Sequence, residues 1–310
     1  MKRLILTISA MLIVLSASAQ ENRWAVVGLS SIYMRIAPDY ESALETQELM
    51  GTVVEVTGEK GYWREIVSPQ PYRAWCTEKG IVEMSKEEIQ AYLSAPKCIF
   101  TELYGHVFES PSSKSATICD LVGGDIMRFA CKDNGKVLCK KGWTKVMLPS
   151  GETGWVQSSK IKTHHGFFSI AKGEGDADSI SDTQMEDIIA TAFRLKGVPY
   201  LWGGMTPKGV DCSGLVRWSC LMNGILLPRN ASQMVFCGDA VSLDALQRGD
   251  LVFFGTPATG EKPQRVTHVG IYIGNGKIIH SSHLVRVNSL IPGESDYYEN
   301  AHKLIAARRL

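Results

Sequence analysis

Cys212 stands in the segment Asp211-Cys212-Ser213-Gly214, and two histidines follow in Thr267-His268-Val269-Gly270 and Ile278-Ile279-His280-Ser281. Cysteine attack on a carbonyl needs a sulfur nucleophile, a base to take its proton and a group to orient that base. All three can be named here. The run after Cys212 is apolar at helical spacing, which predicts a helix starting at residue 211 or 212 and reaching about residue 222. A cysteine at that end meets the positive pole of the helix dipole and free N–H groups, an environment that lowers a thiol pKa from about 8.5. Asp211 is the expected cap. Asn275-Gly276 is a hairpin signal between the two histidine-bearing segments, so the rings are expected side by side. We read Cys212 as nucleophile, His268 as general base and His280 as the group fixing the ring plane and tautomer of His268. Taken singly, each residue has an ordinary structural explanation, a small buried thiol or a hydrogen-bonded imidazole. The combination carries the reading. His283 lies at odd spacing from His280 and is expected on the opposite face. His106, His164, His165 and His302 read as structural or solvated.

The elements that position these groups change character near residue 165. Beyond it, residues 182–195 carry apolar positions on one helix face and are stopped by Gly197-Val198-Pro199. The helix at 211–222 follows, then strands at 250–254, 268–273, 277–280 and 304–308. Helices first and antiparallel strands after predict an α+β domain over residues 182–310. Before residue 165, short β-branched and aromatic runs alternate with turn residues, the pattern of small all-β barrels. That half repeats itself weakly. Pro38 and Pro111 precede Gly-containing strand starts, Trp63 and Trp143 each follow a glycine closely, and Trp75 and Trp155 mark aromatic strand ends. Two small β domains, at 20–90 and 97–163, account for this. A helix over 85–93 joins them, with Ser85 as N-cap and Glu88 three residues on. Residues 164–181, rich in Gly, Asp and Ser, read as a linker.

The chain has 310 residues, a length for two or three domains, and a formal net charge of +1 with no basic block. Nothing in it argues for nucleic acid. Residues 1–19 read as a signal peptide: Lys2-Arg3, an apolar run over 4–15, and the small residues Ala17-Ser18-Ala19 at the cleavage point. The run is short for a membrane span. The mature form is therefore expected to be exported, periplasmic or extracellular, and free of the membrane. Of eight cysteines, none forms a CxxC pair or a zinc pattern, and no metal or cofactor is implied. Cys131 and Cys139 flank a turn. They could form a disulfide or remain two buried or half-buried free thiols. Cys220, two helical turns past Cys212, reads as helix core.

Tyr200-Leu201-Trp202-Gly203-Gly204, Asp211-Cys212-Ser213-Gly214, Arg248-Gly249-Asp250-Leu251-Val252-Phe253-Phe254, His268-Val269-Gly270-Ile271-Tyr272-Ile273-Gly274 and Ile279-His280-Ser281 together resemble the NlpC/P60 cysteine peptidases. The resemblance covers residues 180–310. It implies a papain-like core, hydrolysis of bacterial cell-wall peptides, and the same roles for Cys212, His268 and His280. The N-terminal half resembles bacterial SH3-like domains. The whole arrangement is similar to the γ-D-glutamyl-L-diamino-acid endopeptidases, also called dipeptidyl-peptidase VI. That similarity implies a first barrel closing one end of the cleft, with Glu45 and Tyr72 meeting the free amine of an N-terminal L-alanine. It also implies that Tyr200, Asp211 and Ser213 line the cleft, with Tyr200 helping to hold an oxyanion. Asn230 stands where an acidic residue is usual, so amine recognition is expected to lean on Glu45 and Asp211. The expected partner is a murein peptide containing diaminopimelate or lysine, bound by a monomer. The alternatives are an endopeptidase acting on intact sugar-linked stems and a wall-binding module with incidental activity.

Overall fold

The computed structural model describes residues 23–70, 72–170 and 180–310. The expected signal peptide, 1–19, and residues 171–179 of the expected linker lie outside the described residues.

The N-terminal sheet contains β1 (Arg23–Val27), β2 (Ser31–Arg35), β3 (Leu44–Leu49), β4 (Val53–Lys60), β5 (Trp63–Val67), β6 (Arg73–Thr77) and β7 (Ile81–Met84), in the order β3-β2-β6-β5-β4-β1-β7. Alternation decides its inside: Val54 and Val56 of β4 and Ile32 and Met34 of β2 point inward to meet Ile66 and Ala74. Helix α1 (Lys86–Ser94) follows, and Ser85 and Glu88 form the expected capping box at its start. The second sheet contains β8 (Lys97–Phe100), β9 (Tyr104–Phe108), β10 (Thr117–Val122), β11 (Ile126–Phe129), β12 (Cys139–Lys140), β13 (Trp143–Met147), β14 (Thr153–Gln157) and β15 (Ile161–Thr163). Its main path, β10-β9-β14-β13-β11-β8-β15, repeats the first sheet strand for strand. The weak sequence repeat is thus a repeat of topology.

In the C-terminal lobe, β16 (Ser169–Ile170) runs parallel to β19 (Ile225–Leu226), so part of the segment read as linker is strand. Helix α2 (Asp182–Arg194) packs on α3 (Cys212–Met222), and β17 (Met205–Thr206) pairs with β18 (Gly209–Val210) just ahead of α3. The short α4 (Ala231–Met234) follows. The main sheet contains β20 (Asp239–Ala240), β21 (Leu251–Thr256), β22 (Arg265–Gly274), β23 (Lys277–Ser282), β24 (Leu284–Ser289) and β25 (Leu304–Arg309), in the order β20-β25-β21-β22-β23-β24. Leu215, Val216 and Trp218 of α3 close a core with Phe253, Val269, Ile271 and Ile279. Two SH3-like barrels ahead of a papain-like α+β lobe are the architecture the sequence implied. β24 was not foreseen.

Among the described residues no helix is long and apolar enough to cross a membrane. All eight cysteines are free thiols. Cys131 and Cys139 are exposed rather than buried or half-buried: the hairpin carrying them stands at the barrel surface, where Cys131 bridges to Val137 and Cys139 pairs with Thr144.

Candidate active site

Asp211 starts α3. Its Oδ1 accepts the Gly214 N–H at 2.6 Å, filling one of the orphan donors of the first turn. Cys212, next in the chain, is 8% exposed. The backbone N–H groups of Ser213 and Val269 lie near enough to its sulfur to favour the thiolate. Val269 follows His268, so the thiol rests against β22 beside that histidine. The expected drop in the cysteine pKa is not found. Burial pushes the Cys212 thiol up to about 11, and the Asp211 charge adds to the rise. Desolvating a thiolate outweighs the two N–H groups and the Arg229 charge.

The histidines lie on adjacent antiparallel strands joined at Asn275 and Gly276, whose φ values of 52° and 68° suit a primed hairpin turn. A Cβ on Gly270 would lie 3.1 Å from the His280 Cβ. The missing side chain lets the His280 ring lean along the sheet toward His268. His268 Nε2 and His280 Nδ1 are 2.8 Å apart. His280 Nε2 is 2.9 Å from Asn288 Oδ1 on β24. Tyr298 covers both rings, with centroids 4.6 Å from His280 and 5.7 Å from His268. Burial pushes the His268 pKa down to about 3, helped by His280, and burial likewise pushes His280 down to about 4. Burial thus favours the neutral forms of the thiol and of both imidazoles. The His268 nitrogen not bonded to His280 is Nδ1, the atom that can take a thiol proton. His283, expected on the opposite strand face, sits instead in the β23–β24 turn at φ 63°, where its carbonyl accepts the Tyr200 N–H at 2.9 Å.

The other end of the cleft is built by two parts of the molecule. Glu45 lies on β3 and Tyr72 just ahead of β6. The Tyr72 hydroxyl donates to Asn230 Oδ1. Burial raises the Tyr72 pKa, Arg229 and Asn230 oppose that, and the negative charges of Glu45 and Asp211 reinforce it. Glu45, Tyr72, Asn230, Arg229 and Asp211 therefore share one electrostatic neighbourhood. Close approach is allowed by Gly203, at φ +75°, where a Cβ would lie 2.9 Å from the Glu45 carbonyl oxygen. Tyr200 is half-buried within electrostatic reach of Cys212 and Asp211, and burial raises its pKa.

Arg229 was not singled out by sequence reasoning. It is 3% exposed. Its guanidinium grips Asp211 with Nη2–Oδ2 at 2.5 Å and Nη1–Oδ1 at 3.0 Å, and donates to Ser213 Oγ at 2.9 Å and Thr46 Oγ1 at 3.0 Å. The Asp211 oxygens also accept the Gly203 N–H at 3.0 Å and the Ser213 hydroxyl at 3.1 Å. Asp211 and Ser213 are thus already engaged by protein donors. Asn288 and Tyr298 were missed too. A strand predicted over 284–289 would have put Asn288 on the His280 face; nothing local marks Tyr298. Among the described residues no group of three His, Cys, Asp or Glu side chains could hold a metal ion.

Residues 197–304 match the model of the NlpC/P60 family. A γ-D-glutamyl-L-lysine dipeptidyl-peptidase from Bacillus subtilis is 30% identical over 271 residues, 87% of this chain and 82% of its own. Dipeptidyl-peptidase 6 from Lysinibacillus sphaericus is 26% identical over 87% of this chain and 92% of its own. The crystal structure of an NlpC/P60 family protein from Bacillus cereus superposes with a TM-score of 0.71 at 24% identity, covering 92% of this chain and 99% of that one, which extends the shared fold to both barrels. The chain belongs to the NlpC/P60 family and is a cysteine peptidase.

Proposed function

We propose that this peptidase hydrolyses the bond between γ-D-glutamate and the diamino acid in murein peptides that carry a free N-terminal L-alanine. The observation that carries the reading is Glu45. It is a carboxylate from β3 of the first barrel whose negative charge reaches the Tyr72 hydroxyl, as does that of Asp211 beside Cys212. An ammonium brought into a closed cleft needs an acidic partner and hydroxyl acceptors. Glu45 supplies the charge and Tyr72 the oxygen, while Arg229 cancels Asp211. Relatives named γ-D-glutamyl-L-lysine dipeptidyl-peptidases support the same substrate class.

The steps start from the neutral forms. With the γ-carbonyl over Cys212, the thiol proton passes to His268 Nδ1 as sulfur adds to the carbon. The oxyanion is held by the Cys212 backbone N–H and the Tyr200 hydroxyl. His268 returns its proton to the departing amine of the diamino acid, leaving a thioester on Cys212. Water, deprotonated by His268, adds to the thioester carbon; the C–S bond breaks, L-Ala-γ-D-Glu leaves as the acid, and the His268 proton returns to the Cys212 sulfur. The mature enzyme acts after export, on peptides already freed from sugar.

Purified protein should release L-Ala-γ-D-Glu from the free tripeptide. Cys212→Ala should lose at least about 10⁴-fold in kcat. N-acetylation of the alanine should abolish tight use of the substrate. Equal rates on acetylated peptide or whole sacculi would replace this reading with cleavage of intact stems.

A further inference from the structure

We propose that Asn288 is a positioning residue that, anchored by the main-chain carbonyl of Asp296, fixes the proton positions of both histidines and leaves His268 Nδ1 bare toward Cys212. The inference rests on the proposed roles of Cys212 and His268.

The argument is one of donors and acceptors. The Asn288 side-chain nitrogen donates to the Asp296 carbonyl oxygen at 2.7 Å. A main-chain carbonyl can only accept, so Nδ2 must face it and Oδ1 must face away. Oδ1 is the atom 2.9 Å from His280 Nε2. An amide oxygen also only accepts, so His280 Nε2 carries a hydrogen. A neutral imidazole has one N–H, so His280 Nδ1 is a lone pair. Across 2.8 Å that lone pair requires a donor, so His268 Nε2 carries the hydrogen. His268 Nδ1 is then left as the free base. Each assignment forces the next, and the chain starts from a group that cannot titrate.

The fold makes this path. His280 pairs with Arg286 on β24, and Asn288 is two residues further along the same face, within diagonal reach across the strands. Asn288 is 7% exposed and His280 0%, so water does not offer an alternative partner. The carbonyl is itself held. Lys277 Nζ bonds the Asp296 carboxylate at 3.0 Å, and Ser289 N donates to Asp296 O at 2.9 Å. The titratable or charged groups around His280 are His268, Arg286 and Tyr298. None is a carboxylate, so the relay orients the base without pulling charge onto it.

The test is nitrogen NMR of histidine-labelled full-length protein together with kinetics of Asn288→Ala and Asn288→Asp. In the wild type, both His268 and His280 should be neutral with the proton on Nε2. Asn288→Ala should lower kcat about 10- to 100-fold, the scale for outer partners that set a histidine tautomer, with KM little changed. Asn288→Asp puts a carboxylate against His280 Nε2–H. It should favour the imidazolium and move the acid limb of kcat/KM to higher pH, which a merely structural asparagine would not do. A wild-type spectrum with the His280 proton on Nδ1 overturns the proposal. So does a folded Asn288→Ala with unchanged kcat and pH profile. Should Asn288→Ala fail to fold, the wild-type spectrum decides alone. Alkylation of Cys212, scored against Cys212→Ala, separates the two readings. If the tripeptide is not cleaved but alkylation is slowed by Asn288→Ala, the substrate reading fails and the relay stands.

Discussion

The first barrel lays β3 along the catalytic lobe, while the second meets it with Ile99 in the lobe's core, Leu103 and Ile126 packed against that core, and several polar contacts. Thr46, Gln47 and Glu48 are buried there. Thr46 accepts from Arg229, and Gln47 Oε1 accepts the Met205 N–H at 2.8 Å. In the second barrel the equivalent strand, β10, is largely exposed or half-buried over residues 117–120. That barrel meets the lobe through the Gly123 carbonyl, which accepts from Trp218 Nε1 at 2.9 Å, through the Tyr104 hydroxyl, which donates to Pro207 O at 2.7 Å, and through the exposed Lys208–Asp120 pair at 2.7 Å. Two barrels of identical strand order therefore hold different posts. Topology does not choose between them; the side chains of one strand do. The first barrel contacts Arg229 and β17 beside Asp211, and the second buttresses α3 and the first barrel, with Asp125 Oδ1 accepting the Met50 N–H at 3.2 Å.

The comparison can be broken or sharpened at several strengths. Arg229→Met should have the largest effect on stability, because it leaves the Asp211 carboxylate buried without its cation. A loss of about 3–5 kcal/mol is expected in denaturant unfolding. A change under 1 kcal/mol would mean that the junction of first barrel and lobe is not held there. Glu45→Gln should lower kcat/KM for the free tripeptide about 10- to 100-fold, the worth of a hydrogen bond to a charged group. It should leave the acetylated peptide unaffected and the fold intact. Asp120→Asn, its contrast in the second barrel, breaks an exposed ion pair worth about 0–1 kcal/mol and should not move kcat/KM. If Asp120→Asn matched Glu45→Gln in kinetics, the division of labour between the barrels would be wrong. Trp218→Phe removes the hydrogen bond from α3 to the Gly123 carbonyl of the second barrel. A stability loss of about 1 kcal/mol is expected, with kcat/KM unchanged.

A separate effect is on pH dependence, and the two parts of the molecule should differ in sign. His268 and His280 fall from the usual 6.5 to about 3 and about 4. The unfolded chain binds those protons first, so stability falls as pH drops below 6.5 and the loss levels off below the folded values. The Asp125 carboxyl, 0% exposed between the barrels, is instead raised well above its usual 3.8. The unfolded chain loses that proton first, so this group costs stability as pH rises past 3.8. Thermal midpoints of His280→Gln should fall less steeply than wild type on acidification. An identical slope would remove His280 as a source of the acid sensitivity.

Much of this was legible in the linear sequence wherever a signal is short-ranged. The α1 capping box needs only Ser85 and Glu88, and the start of α3 needs only Asp211. Asn275-Gly276 prescribes the hairpin that brings the His268 and His280 strands together, and Gly270 leaves room for the rings to meet. The barrel repeat was visible through its tryptophans and prolines. What was not legible depends on partners far along the chain. Arg229 finds Asp211 18 residues away and Thr46 183 residues away. Asn288 matters only because β24 returns alongside β23.

The residues alone thus determined the nucleophile candidate, the paired imidazoles, the order of elements and the α+β class, because caps, turns and period are properties of a few neighbouring residues. Only the folded chain decided which way burial moves the Cys212 thiol, that Arg229 pairs with Asp211, and which of two like barrels lays a strand beside that pair. Those outcomes depend on desolvation and on which distant side chains are buried together, and neither is set by spacing along the backbone.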